Sequence, residues 1–225
     1  LYIIEIDCHM KGCISLELQL AIDLLNKEEA AKLAKKVEEY VDIVESGTPI
    51  VINEGLPSVQ HLNENISNAK VLADLKIMDA ADYEVSQAVK FGADVVTILG
   101  VAEDASIKAA VEEAHKHGKE LLVDMIAVQD LETRAKELDE MGADYIAVHT
   151  GYDLQAEGQS PLDSLRTVKS VIKNSKVAVA GGIKPDTIKD IVTEEPDLVI
   201  VGGGIANADD PVEAAKQCRD AIEGR

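Results

Sequence analysis

Tryptophan is absent from this 225-residue chain, and phenylalanine occurs once beside five tyrosines. The apolar fraction of 46% is instead carried by alanine, valine, isoleucine and leucine. That composition suits many small units packed regularly against one another and excludes a disordered chain. Cysteine is also scarce. Cys8, Cys13 and Cys218 make an odd set with no disulfide framework, which fits a reducing compartment and predicts a cytoplasmic protein. No apolar run reaches the roughly 18 residues that a membrane helix needs. Nor does the N-terminal stretch show a basic region leading into an apolar segment and a small-residue cleavage site. Positive charge is short as well: 22 Lys and Arg face 42 Asp and Glu, a formal net charge of −20. The overall field therefore repels nucleic acid and anionic membranes, and any phosphorylated ligand must be held by a local site.

What the chain does have is alternation. Eight short β-rich runs are predicted at Glu17 to Ile22, Val41 to Glu45, Lys70 to Leu75, Asp94 to Leu99, Glu120 to Asp124, Asp144 to His149, Lys176 to Ala180 and Asp197 to Val201. Between them lie Ala-, Glu- and Lys-rich segments with apolar residues at helical spacing, such as Lys27 to Tyr40, Ala80 to Phe91 and Glu103 to His117. Phe91-Gly92-Ala93-Asp94 and Met141-Gly142-Ala143-Asp144 echo each other, each ending a helix on glycine and opening a strand. Eight such units predict a (β/α)8 barrel of the TIM type as a single domain over residues 16–225. A doubly wound open sheet alternates similarly, but no Gly-x-Gly-x-x-Gly turn follows the first strand. Residues 1–15 read as an extension. Their Cys8, His9 and Cys13 do not offer the four closely spaced ligands of a zinc site.

In such a barrel, catalytic groups stand at the C-terminal ends of the strands. Asp23, Glu45, Asp124 and His149 each close a predicted strand. The densest cluster is Asp74-Leu75-Lys76-Ile77-Met78-Asp79, where strand alternation puts Asp74 and Lys76 on one face, toward the barrel mouth. Burying that many carboxylates calls for a cation. Several carboxylates with one lysine and room for water suit Mg²⁺, with Mn²⁺ as a substitute, able to steady the negative charge of an enediolate. His149 is the one histidine at a strand end, and an imidazole with an unperturbed pKa of about 6.5 suits a general base. His61, His115 and His117 fall on helices, where solvation is the expected role. The last two strands run into Gly181-Gly182 and Gly202-Gly203-Gly204, the loops that bind phosphate in barrels of this kind.

The run Asp74-x-Lys76-x-x-Asp79 resembles the signature of the orotidine-monophosphate decarboxylase superfamily. Within it the chain is similar to the 3-hexulose-6-phosphate synthase family. The likeness runs from about Leu16 to the C-terminus, through Leu20 to Leu24, Gly47-Thr48-Pro49, Leu72 to Asp79, Val123 to Ile126, His149 to Asp153 and both glycine turns. It implies a Mg²⁺-dependent, reversible aldol condensation of formaldehyde with D-ribulose 5-phosphate, giving D-arabino-3-hexulose 6-phosphate, as in the ribulose monophosphate pathway. The resemblance further implies that Glu45 and Asp74 hold the metal, and that Asp23 and Lys76 bind and polarise the substrate. His149 would move the proton at C1, Asp124 would help orient the lysine or a substrate hydroxyl, and Asp79 would reach the adjacent site of a homodimer. A related family, the 3-keto-L-gulonate 6-phosphate decarboxylases, carries Glu at the position of Asp124 and Arg at those of Tyr152 and Gly204. That activity is the nearest alternative, and a phosphosugar-binding scaffold without turnover is the alternative of another class. Ser46, where a small apolar residue is expected, places a hydroxyl next to Glu45, with an expected effect on packing or on the surroundings of a metal.

Overall fold

The computed structural model describes residues 16–155 and 160–225. Cys8, His9, Cys13 and the N-terminal extension read from the sequence lie outside the described residues. The strands are β1 Glu17–Ile22, β2 Ile43–Ser46, β3 Lys70–Ile77, β4 Val95–Leu99, β5 Glu120–Asp124, β6 Tyr145–His149, β7 Lys176–Ala180 and β8 Leu198–Val201. All neighbours pair in parallel and β8 pairs with β1, so the sheet closes into a barrel. The fold is a (β/α)8 barrel, as the alternation predicts.

The helices are α1 Lys27–Val37, α2 Thr48–Glu54, α3 Pro57–Asn65, α4 Ala81–Lys90, α5 Asp104–Lys116, α6 Leu131–Met141, α7 Tyr152–Gln155, α8 Leu162–Lys169, α9 Ile188–Val192, α10 Gly203–Ala206 and α11 Pro211–Ile222. Their starts carry the residues that satisfy free backbone N–H groups. Asn26 and Glu29 form a reciprocal cap on α1, while Asp130 and Asp210 cap α6 and α11. Gly92 and Gly142 end α4 and α6 at positive φ, so the echoed Gly-Ala-Asp segments are equivalent joints. Among the described residues no helix is long and apolar enough to cross a membrane.

Two apolar layers result from strand alternation. Outward residues such as Leu18, Val44, Val71, Val96, Val123 and Val148 meet the helices. Inward residues including Ile43, Leu72, Val95, Leu122, Ala147, Leu198 and Ile200 fill the barrel. The strands begin later than expected at β2, β4, β6 and β8, because the preceding aspartates serve as joints. The backbone N–H groups of Leu18, Val71, Leu121 and Val177 donate to the carboxylates of Asp42, Asp94, Asp144 and Asp197 at 2.7–2.9 Å. Each of these aspartates also accepts at its backbone carbonyl from the first residue of the next odd strand: Lys70, Glu120, Lys176 and, across the closure, Glu17. One joint therefore occurs four times around the barrel base.

Those four first residues alternate in sign and plug the base. Lys70 meets Glu120 at 2.5 Å, and Lys176 meets Glu17 at 2.9 Å. The Tyr145 hydroxyl donates to Glu17, and its phenol is held well above its usual range by burial and by that carboxylate. Charged groups at the base are thus paired with one another in two ion pairs.

Candidate active site

The mouth is built from the ends of β1, β2, β3, β5 and β6. On β3 the register with β4 shifts between Ala73 and Ile77, so four steps on one strand match two on the other. This bulge places Lys76 at a φ of 48°, a left-handed conformation that a non-glycine residue adopts at a cost of about 1–3 kcal/mol. Asp74 and Lys76 do share the mouth, but through this bulge rather than by alternation alone. The Lys76 ammonium donates to Asp74 at 2.8 Å and to Asp124 at 3.1 Å. Burial alone would lower the lysine's pKa, but Asp74 and Asp124, with Glu45 behind them, raise it instead. Lys76 is therefore a fixed cation, not a base.

Asp124 joins this pair to the histidine. Its Oδ2 lies 2.9 Å from His149 Nδ1, and its Oδ1 accepts from the backbone N–H of Ile126 at 2.9 Å. Although burial raises its pKa, the His149 contact and Lys76 hold the carboxyl below its ordinary value, so it is ionised. An ionised Asp124 fixes the proton of a neutral imidazole on Nδ1 and leaves Nε2 as the basic nitrogen. Asp74, Lys76, Asp124 and His149 thus form one connected chain of charge.

Glu45 and Asp23 border that chain. Glu45 is 7% exposed, and burial followed by the carboxylates of Asp74 and Asp23 pushes its pKa well above the usual carboxylate range. Asp23 is also raised, by burial and then by Asp74. It fits only because residue 47 is glycine: a Cβ there would collide with Asp23 Oδ1 and lie 2.7 Å from the Ile22 carbonyl. Among the described residues, no set of three or more His, Cys, Asp or Glu side chains is arranged to hold a metal ion. Mg²⁺ needs only one or two protein carboxylates, since it retains part of its water shell. The mutual repulsion of Glu45, Asp74 and Asp23 makes the donor set fit such a cation.

Residues without a role in the sequence reading complete the site. Thr48 Oγ1 donates to Asp74 Oδ2 at 2.5 Å, Thr97 Oγ1 donates to Asp74 Oδ1 at 2.8 Å, and Gln19 Nε2 donates to Glu45 at 2.5 Å. A polar residue at an inward strand position is the signal that marks Gln19 and Thr97. Ser46 points the other way. Its hydroxyl is fully buried and shares a 2.8 Å hydrogen bond with Ser58 on α3, so it does not reach the Glu45 side of the strand.

Asp79 is exposed and, among the described residues, accepts only from the backbone N–H of Ala80 in its own loop, so it does not join the cluster there. Gly181, Gly182, Gly202, Gly203 and Gly204 all lie at the mouth end, after β7 and β8. The two turns touch. A Cβ at Gly204 would stand 2.5 Å from the Ile183 carbonyl oxygen and 3.0 Å from Lys184 Cα, so no side chain fits there without moving backbone.

Known proteins resemble this chain closely. It is 94% identical over 210 residues to the 3-hexulose-6-phosphate synthase of Staphylococcus haemolyticus, covering 93% of this chain and 100% of the relative. The crystal structure of 3-hexulose-6-phosphate synthase from Salmonella typhimurium superposes with a TM-score of 0.90 at 42% identity, over 93% of this chain and 99% of that one. A crystal structure of KGPDC from Streptococcus mutans superposes with a TM-score of 0.86 at 25% identity, over 93% and 98% of the two chains. Residues 16–218 match the pattern of a single family, and the chain belongs to it: the orotidine 5'-phosphate decarboxylase / HUMPS family.

Proposed function

We propose that this protein is a 3-hexulose-6-phosphate synthase, a lyase that reversibly condenses formaldehyde with D-ribulose 5-phosphate to D-arabino-3-hexulose 6-phosphate. The observation that carries the reading is Asp124, which holds both a cation, Lys76, and the candidate base, His149. Deprotonation beside a carbonyl needs a base for the proton and positive charge for the oxygen that gains the electron pair. Both stand on one carboxylate here.

In the proposed reaction His149 Nε2 takes the proton from C1, and the C–H electron pair becomes the C1–C2 double bond of the enediolate. The same carbon then attacks formaldehyde. The double-bond pair forms the new carbon–carbon bond as the C2 carbonyl re-forms, the C=O π pair of formaldehyde moves to its oxygen, and that oxygen takes the proton held on His149. Lys76, held cationic, faces the sugar oxygens, and Asp23 supplies a carboxylate for a substrate hydroxyl. Glu45 and Asp74 would hold Mg²⁺, or Mn²⁺ in its place, which when bound acts as a Lewis acid toward the sugar oxygens. The glycine turns after β7 and β8 would receive the phosphate through backbone N–H groups.

Gly204 supports this activity over decarboxylation of 3-keto-L-gulonate 6-phosphate, because an arginine at that position collides with the Ile183–Lys184 backbone. We place the working unit in a homodimer. Exposed Met78 and Tyr83 flank Asp79 and support a covered surface there. The deciding experiment follows formaldehyde consumption with ribulose 5-phosphate, with and without Mg²⁺, beside carbon dioxide release from 3-keto-L-gulonate 6-phosphate. Metal-dependent formaldehyde loss is expected. Faster carbon dioxide release would assign the decarboxylase, and turnover of neither substrate would leave a binding scaffold.

A further inference from the structure

Gln19 is an anomaly inside the barrel. It is 1% exposed, and its register partners on either side are the inward-facing Ile43 of β2 and Ile200 of β8. Its Nε2 donates to Glu45 at 2.5 Å, yet its Oε1 has no partner; among the described residues only Ser175 Oγ shares that condition. A buried amide oxygen left unpaired costs stability, and an aliphatic side chain at this position would remove that cost. The reason for an amide here therefore lies in the one bond that it makes.

That bond has a direction. The amide N–H engages Oε2 of Glu45, and so fixes which oxygen of that side chain stays free. We propose that Gln19 is a positioning residue for cation binding: from the apolar layer beneath the site it holds Glu45 in a ligating orientation, while its own oxygen stays unpaired. The inference rests on the reading of Glu45 and Asp74 as cation ligands. Groups that orient a metal-ligating carboxylate typically contribute roughly 10- to 100-fold to affinity.

The test is Mn²⁺ titration of the full chain by electron paramagnetic resonance, with thermal melting in metal-free buffer, for wild type, Gln19→Met, Gln19→Leu and Glu45→Gln. The Gln19 variants should bind Mn²⁺ at least about 10-fold more weakly while melting at or above the wild-type temperature without metal. A merely structural amide predicts the opposite pair of results. Wild-type Mn²⁺ affinity in folded Gln19→Met and Gln19→Leu, or metal-free melting several degrees lower in both, overturns the inference. If Glu45→Gln binds as wild type, or wild type binds no Mn²⁺, the cation reading itself falls and takes this role with it.

Discussion

At the scale of single residues, the site is a set of charges whose partners decide their chemistry. His149 bonds Asp124 through Nδ1, so His149→Ala removes the base, and His149→Gln keeps a polar group without one. Each should lower kcat by about 10²–10⁴-fold with an unchanged melting curve, which formaldehyde-consumption assays and circular dichroism would check. Gly204 invites a steric test. Gly204→Ala forces the turns after β7 and β8 apart, and if they receive the phosphate, KM for ribulose 5-phosphate should rise far more than kcat falls. An unchanged KM would remove the phosphate from those turns. Most of these residues are legible without the fold, because a strand end followed by an ionisable side chain stands out in an apolar sequence. For Gln19 and Thr97 the sequence offers only a polar residue at an inward strand position, and for Thr48 not even that, because the role of each depends on a carboxylate from another element.

Among elements, the strand spans are readable from apolar runs to within two residues, but the function of the residues between them is not. Asp94, Asp144 and Asp197 look like strand openers and Asp42 like the second residue of a strand; their carboxylates instead tie neighbouring strands at the base. Register and the bulge in β3 are equally invisible, because they depend on pairing with β4. Asp139 on α6 provides the clearest elemental prediction. Its carboxylate accepts from the backbone N–H groups of Lys173, Asn174 and Ser175 at 2.7–3.1 Å, fastening the loop that leads into β7. Burial raises its pKa, but those backbone bonds outweigh it and hold the carboxyl below the ordinary value. Its contribution is therefore full above the unfolded carboxylate range of about 4 and is lost as pH falls through the folded value. Asp139→Ala should cost about 2–3 kcal/mol in urea unfolding at neutral pH, and the gap from wild type should narrow in acid.

For the whole molecule, charge is divided between the two ends of the barrel. The base pairs its ions, and a double-mutant cycle tests that division. Lys70→Met alone removes the partner of the part-exposed Glu120 and should destabilise by about 0.5–1 kcal/mol, whereas Lys70→Met with Glu120→Leu should recover most of the loss. The chain as a whole carries a net charge of −20, which repels a phosphosugar and attracts divalent cations at long range. Raising ionic strength from about 10 mM to 150 mM, where the screening length falls to about 8 Å, should lower KM for ribulose 5-phosphate if turnover is as proposed. A KM independent of salt would mean that local groups at the mouth already cancel the field.

The joint that repeats four times around the base makes the closure between β8 and β1 no different in kind from the three internal ones. A ring whose quarters are fastened alike has no privileged seam. Joining residues 16 and 225 through a flexible linker and opening the chain ahead of β3, β5 or β7 should therefore yield permuted proteins that fold and keep a complete mouth. The order in which the quarters are synthesised would then be a matter of folding rate, not of the structure reached.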